Sequence, residues 1–469
     1  MRKVRPLLLS LAVFLAALSP LSIFADEAPV HTFTLESALD WVLSHNRQLL
    51  GLQDKNVQFH TQLEMAESEF DLQIQPSADA GYIGGGSAGS GLAVGTSVAF
   101  AKKLSNGTRI QITPSIQKVH NRYHSNFKTI ISQPLLRGWG QDYTFSNLRG
   151  AFFNLRSANR SFYNTQCQLV LRSIISMYEL VKMQHSLVLN QESFERVRKF
   201  YQAACLKSKI GVCDPIDVYR AEIEMRHAED GLKSAQDRLQ DAEDNFRDLM
   251  ALPADDLIHL NIPIAYAPFD ISSGEAIEAA LQNRVELDQA NDQQVENIRL
   301  SKVAKERLWP ELNMVVNYSN CGEDQVFTDS CLRRRESTWG VGFTTSTDFN
   351  PYSERAAYEQ SLSAIQIAGL NVDQTIANLT FEVKRAIRHL ERSDQRIELQ
   401  EKQIHSSEGE LRLAQLKFDR GMGNNFDLIQ AEKSLRSAQF NHWNALIDRI
   451  IGEYQMRAVL GLLMEKPCL

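Results

Sequence analysis

Beyond its first 25 residues this 469-residue chain has no run of eighteen apolar residues, and so no stretch long enough for a transmembrane helix. Cysteine is scarce: six in a chain of this length do not make a disulfide scaffold. Basic residues do not dominate, and a net charge of −7 excludes a nucleic-acid partner. No nucleophile elbow, metal-ligand cluster or pair of catalytic carboxylates stands out, so neither an enzyme, a metal nor a cofactor is expected. Gly84–Gly89 formally matches G-x-G-x-x-G but opens no helix after a strand, which rejects a nucleotide site. His120 and His124 are four apart, but in strand or loop sequence rather than on a helix. Helix breakers are missing over long distances. There is no proline between Pro134 and Pro215 and no glycine between Gly150 and Gly211.

What is present begins with an export signal. Arg2, Lys3 and Arg5 precede an apolar stretch from Leu7 to Leu18, Ser19-Pro20 breaks it, and Ile23-Phe24-Ala25 offers a cleavage site. The mature chain is expected to leave the cytoplasm.

Two segments 210 positions apart then repeat. Gly211-Val-Cys-Asp-Pro-Ile-Asp217, continuing to Ala221-Glu222, matches Gly421-Met-Gly-Asn-Asn-Phe-Asp427, continuing to Ala431-Glu432. The starts of the halves match at an offset of 238, where Ala38-Leu39 and Val42-Leu43 pair with Ala276-Ile277 and Ala280-Leu281. The two halves are copies, with a middle that is longer in the first by 28 residues.

The flanks read as long helices. Residues 34–70 present Leu35, Ala38, Leu39, Val42 and Leu43 on one face, with Pro76 ending the segment. Leu180, Leu187, Phe194 and Tyr201 recur at sevens, as do Ile376, Val383, Leu390, Ile397, Ile404, Leu411 and Phe418. Sustained heptads specify a left-handed coiled coil, and some 70 residues at roughly 1.5 Å each make a rod on the order of 100 Å long. The return helices carry Val218, Met225, Leu232, Leu239 and Phe246. Alongside runs a small-residue seam, Ala221, Ala228, Ala235 and Ala242, echoed by Ala431, Ala438, Ala445 and Gly452. Such a seam lets helices approach closely, so each rod folds back on another. At the tips, Asp214 and Asn424 are N-caps, Pro215 is a first helical residue, and Asp217 and Asp427 sit at N3. Helix capping alone accounts for both aspartates.

The middles, about 77–133 and 311–348, are rich in period-two stretches. Val94, Thr96, Val98 and Phe100 alternate ahead of an Asn106-Gly107 turn, and Leu312, Met314, Val316 and Tyr318 precede Trp339, Val341 and Phe343. Both ends of each middle join rods, so each crosses a membrane an even number of times. The second is long enough for two strands, the first for two or four. Four to six strands cannot close a membrane barrel, which needs at least about eight, and open edges in lipid are not tolerated. Several chains must share one barrel. Cys321 and Cys331 flank a polar loop and are expected to form a disulfide there. Cys205 and Cys213 straddle the first tip and could face each other, and Cys167 reads as a buried thiol.

With these parts in order, the chain resembles the TolC-like outer membrane efflux proteins over its mature length. The resemblance is carried by His45-Asn46-Arg47-Gln48-Leu49, its echo Asn283-Arg284-Val285-Glu286-Leu287, the strand–helix junction Ser132-Gln133-Pro134-Leu135-Leu136-Arg137-Gly138, and the two tips. It implies a mainly α-helical protein with membrane β-strands. The duplicated coiled-coil hairpins would form a periplasmic α-barrel, and the strands of a homotrimer one shared barrel in outer-membrane lipid. Implied partners are a periplasmic adaptor and an inner-membrane transporter. The implied function is the exit duct of a tripartite efflux or type I secretion system, its substrate left open. The parts would be a signal peptide at 1–25, a first repeat at 26–252, a linker at 253–270 and a second repeat at 271–469. Gly211, Asp217, Phe418, Gly421, Asp427 and Gln430 would form the periplasmic aperture and adaptor contact. Asp427 resembles the family's constricting acidic position, whereas Gln430 and Gly423 stand where some members carry charge. A fibrous coiled-coil protein is the alternative; it explains the rods but not the strands.

Overall fold

The structure is a computed structural model in which residues 30–83, 91–119, 122–210, 215–266, 271–332, 335–346, 350–420, 422 and 425–467 are described. The export signal, Gly84–Gly89, His120, Gly211, Cys213, Asp214, Gly421, Gly423 and Asn424 lie outside these residues.

The first repeat runs β1 (Val30–Thr34), α1 (Leu35–His45), α2 (Arg47–Ser68), β2 (Gln73–Ile83), β3 (Gly91–Lys103), β4 (Arg109–Val119), β5 (Arg122–Pro134), α3 (Gln141–Thr144), α4 (Ser146–Lys209) and α5 (Pro215–Met250). After β6 (Leu257–Asn261) the second runs α6 (Ser273–Asn283), α7 (Val285–Glu306), β7 (Glu311–Asp324), α8 (Phe327–Leu332), β8 (Arg335–Ser346), α9 (Tyr352–Asp419) and α10 (Asn425–Val459). Among the described residues the first middle therefore holds four strands and the second two. They form one antiparallel sheet in the order β2-β3-β4-β5-β7-β8, while β1 and β6 pair in parallel beside the helices. Pro76, expected to end the first helix, lies inside β2; α2 stops at Ser68 instead.

The expected single helix over 34–70 is broken at Asn46. Asn46 takes an extended conformation and its side-chain oxygen accepts from the backbone N–H groups of Gln48 and Leu49, capping α2. Its amide donates to the Leu249 carbonyl at 3.0 Å, at the end of α5. The second repeat breaks at the matching residue, Arg284, whose guanidinium donates to the carbonyls of Ala458 and Val459 at 3.3 and 3.4 Å. A polar side chain at an unwound position thus ties the first helix of each repeat to the last.

The match extends to the helix ends. In α5, Leu252 N–H reaches back to the Arg247 carbonyl across Ala251; in α10, Leu462 N–H reaches the Arg457 carbonyl across Gly461. Both bridging residues are left-handed, at φ 55° and 72°, as this helix stop requires. Only the second is glycine. Ala251→Gly is expected to stabilise the fold by about 1 kcal/mol. Gly461→Ala should destabilise it by more, because an added Cβ would also lie 2.9 Å from that of Asn283. Thermal melting followed by helical circular dichroism should show shifts of opposite sign.

The rods follow the heptads. α4 and α9 span 64 and 68 residues, and Val383, Leu390, Ile397 and Phe418 of the second series are buried. The seam is buried too, at Ala221, Ala228 and Ala235 and at Ala431, Ala438 and Ala445. Where it ends in Gly452, a Cβ would stand 3.2 Å from both His389 and Leu390, so α10 lies directly on α9. The main core sits at mid-height, where Phe33, Val42 and Leu49 meet Ile174, Met177 and Tyr178 of α4, Phe246 of α5 and Ile450 of α10.

The expected Cys321–Cys331 disulfide is not formed; both are free thiols. The reason is the pleat. Cys321 pairs with Asn126 and points to that face of the sheet, 3.4 Å from the Ser319 hydroxyl. Helix α8, which carries Cys331, covers the other face: Ser125 donates to the Ser330 carbonyl at 2.7 Å and Tyr123 meets Phe327 edge-on. Cys167 is a free, half-buried thiol whose pKa is pushed up by burial.

Candidate functional site

Two regions bear on function, the sheet and the hairpin tips. Every cross-strand pair places its members on the same face, so the register sorts the whole sheet. One face carries Leu92, Val94 and Phe100 of β3, Ile110, Ile112 and Ile116 of β4, and Phe127 and Ile131 of β5. It continues through Met314, Val316 and Tyr318 of β7 to Phe343, Val341 and Trp339 of β8. The opposite face carries Gln75, Ser77 and Asp79, Gln111, Thr113 and Ser115, His124, Asn126 and Lys128, and Asn313, Asn317 and Ser319. Beyond the end at Tyr123 and Ser125, where α8 lies over it, the apolar face is uncovered: Trp339 is 80% exposed and Phe343 67%. A water-soluble sheet hides that face. Strands of 11–14 residues, apolar on one side and polar on the other, instead suit a wall between lipid and an aqueous lumen.

The junction residues Gln133 and Pro134 sit where this sheet meets the helices. The Gln133 side-chain oxygen accepts from the Thr108 hydroxyl, and its amide donates to the Pro134 carbonyl at 2.9 Å. Pro134 is buried and pairs with Asn313 of β7; the next N–H, of Leu135, donates to the Leu312 carbonyl at 2.8 Å. Gly107, in the β3–β4 turn, has φ +90°, and a Cβ there would strike the Gly138 carbonyl at 2.5 Å. The turn packs on the backbone that leaves Pro134, which fixes the height at which strand becomes helix. A polar cleft of about 470 Å³, bordered by Lys103, Arg109, Tyr143 and Glu311, opens there.

At the other end the tips of the two hairpins meet. Ala204 of α4, Ala221 of α5 and Ile429 of α10 form a small buried cluster, flanked by Phe200, Tyr201 and Val218. As expected, α5 begins at Pro215 and α10 at Asn425, which puts Asp217 and Asp427 third in their helices. Their surroundings differ. Asp217 is half-buried and 3.5 Å from the Arg220 guanidinium, which also lies over the Phe426 ring at 6.0 Å. Asp427 is exposed and has no basic partner within ion-pair distance among the described residues. Gln430 is exposed beside Gln403 and Lys433, along a polar groove between α9 and α10. Phe418 does not line an opening. It is 7% exposed, with the Lys207 ammonium 3.4 Å above its ring and donating to its carbonyl at 3.1 Å. Gly211 and Gly421 lie outside the described residues.

One pair at the tips escaped the sequence reading. Glu432, buried at 1% exposure, accepts a hydrogen bond from Arg196 of α4, which also lies 3.4 Å from Glu192. It clamps the second hairpin to the first. The Ala431-Glu432 repeat marked the position, but the partner lies 236 residues away.

The comparisons agree with this geometry. Residues 276–462 match the family model of the outer membrane efflux protein. Among solved structures the chain is similar to the outer membrane protein VceC from Vibrio cholerae, at 12% identity and a TM-score of 0.71 over 91% of this chain and 96% of that one. It is similar to the CmeC outer membrane channel of Campylobacter jejuni, at 13% identity and 0.69 over 92% and 86%. The open-state MtrE outer membrane channel of Neisseria gonorrhoeae gives 15% and 0.70 over 92% and 89%. The family model matches the second repeat, and the fold of the whole chain is that of these outer membrane channels. No curated protein matches it by sequence.

Proposed function

We propose that this protein is the outer-membrane exit duct of a tripartite efflux or secretion system. It would work as a homotrimer with a periplasmic adaptor and an inner-membrane transporter. One observation carries the reading: a two-faced sheet and two long hairpins share the same pair of open flanks. On one flank lie β2, α2 and α5, with Val57, Met65, Tyr219 and Ile223 exposed; on the other lie β8 and α9, with Leu370, Phe381, Leu399 and Leu413 exposed. Unlike edges at every level suit head-to-tail contacts that close into a ring. Six strands are too few to close a membrane barrel, so the sheet requires such a ring. A fibrous coiled coil would leave the uncovered apolar sheet face without a role.

In such a ring the hairpin tips surround the lower mouth, and the aperture group is Gly211, Asp217, Gly421, Asp427 and Gln430, with Phe418 as a packing residue behind it. Asp217 is balanced by Arg220, which leaves Asp427 to set the charge of the opening. Like carboxylates brought together repel and favour a cation between them. The polar groove at Gln403, Gln430 and Lys433 is the surface offered to an adaptor. Native mass measurement of the detergent-extracted protein is expected to give three chains. A stable monomer embedded in membrane would defeat the reading.

A further inference from the structure

The two repeats do not contribute equally to the sheet. Between α7 and α9 lies one hairpin, β7–β8; between α2 and α4 lie two, β2–β3 and β4–β5. β5 and β8 each lead into the long helix of their repeat, so β4–β5 is the counterpart of β7–β8. β2–β3 is the addition, and it takes up the extra length of the first middle. We propose that this added hairpin is a full part of the membrane wall. A ring of three chains would then close through β8 of one chain and β2 of the next, with eighteen strands rather than the twelve that equal repeats would give. The proposal rests on the trimeric duct reading above.

Four observations support it. β2 pairs with β3 along all its 11 residues, so the hairpin extends the sheet rather than leaving it. The alternation of faces continues without a change of phase: Ile74 and Tyr82 stand with Phe100 and Leu92 on the apolar side, and Ser77 and Asp79 stand with Ser97 and Gly95 on the polar side. A hairpin folded into the lumen as a plug would put Ile74, Tyr82, Leu92 and Val94 in water. Ile74, Tyr82 and Leu92 are each more than half exposed in the single chain, as lipid-facing groups should be. Finally, β2 runs away from the helices and β8 runs back towards them, so the closing pair is antiparallel like every other pair in the sheet.

The consequence is a wide mouth. Barrels of 16–18 strands leave an aqueous channel, and here the wall facing it is polar, with small residues at Gly81, Gly95, Gly340 and Gly342. A mouth of this bore suits bulkier hydrated cargo than twelve strands would pass.

Disulfide mapping of the full-length protein, with its native cysteines changed to serine and the assembly kept in outer membranes, tests the closure. Thr338→Cys and Thr344→Cys on β8 would each be combined with Gln75→Cys, Ser77→Cys and Asp79→Cys on β2. Matched pairs would use Gln111→Cys and Thr113→Cys on β4, and Ile223→Cys with Leu413→Cys would report helix contact between chains. The expected result is a disulfide-linked ladder up to three chains from at least one β8–β2 pair and none from β8–β4. Crosslinks from β8 to β4, or none from β8 to β2 while α5–α9 crosslinks form, would show that the added hairpin stands outside the wall. Loss of the α5–α9 crosslink as well would remove the ring itself, and the closure with it.

Discussion

Arg196→Ala is expected to loosen the joined hairpins by about 3 kcal/mol. The loss comes less from the missing attraction than from the carboxyl group of Glu432, left without its partner where water barely reaches it. Breaking a buried pair from one side costs roughly 3–5 kcal/mol. The low end applies because Arg196 keeps 35% of its side chain exposed and is partly screened. Glu432→Gln should cost about 1 kcal/mol, since the guanidinium then turns to Glu192 and solvent. The double variant should cost less than the sum of the two. Melting of the helical signal would measure this coupling, and additive effects would mean that the pair does not clamp the tips.

Val341→Arg should be damaging for a different reason. Val341 lies mid-strand in β8 on the apolar face, so a cation there meets hydrocarbon, at a cost of about 2–4 kcal/mol at the midplane. Thr338→Arg, three residues away on the polar face, should fold and insert nearly normally. In water both positions would be exposed and the two variants would behave alike. Outer-membrane yield of the heat-modifiable folded form separates the cases.

Much of this architecture was legible in the chain because its signals are periodic. Heptads marked α9 from Val383 to Phe418, and the alanine seam marked the faces where rods touch. Two halves at two offsets gave both the duplication and the unequal middles. What escaped depends on single residues or on distant partners. The break at Asn46 carries no proline or glycine; an asparagine side chain that caps α2 and also reaches Leu249 makes it, and that contact exists only after folding. The disulfide expectation failed because nearness in sequence says nothing about which face of a pleated strand a cysteine takes. The strand count stayed open because short alternating runs fit two strands or four, and only pairing in register decides. At the tips, helix capping and gating call for the same aspartates. The structure shows only that their surroundings differ: Arg220 lies beside Asp217, and no described basic residue lies at ion-pair distance from Asp427.

Current through a planar lipid bilayer is the most direct test of a duct. The purified assembly should produce discrete conductance steps that favour cations. Asp427→Asn should leave three chains assembled while weakening that preference and the block by divalent cations, and Asp217→Asn should change both less. A correctly assembled, inserted protein that carries no current, or an Asp427→Asn assembly with unchanged selectivity, would contradict a duct gated at these tips.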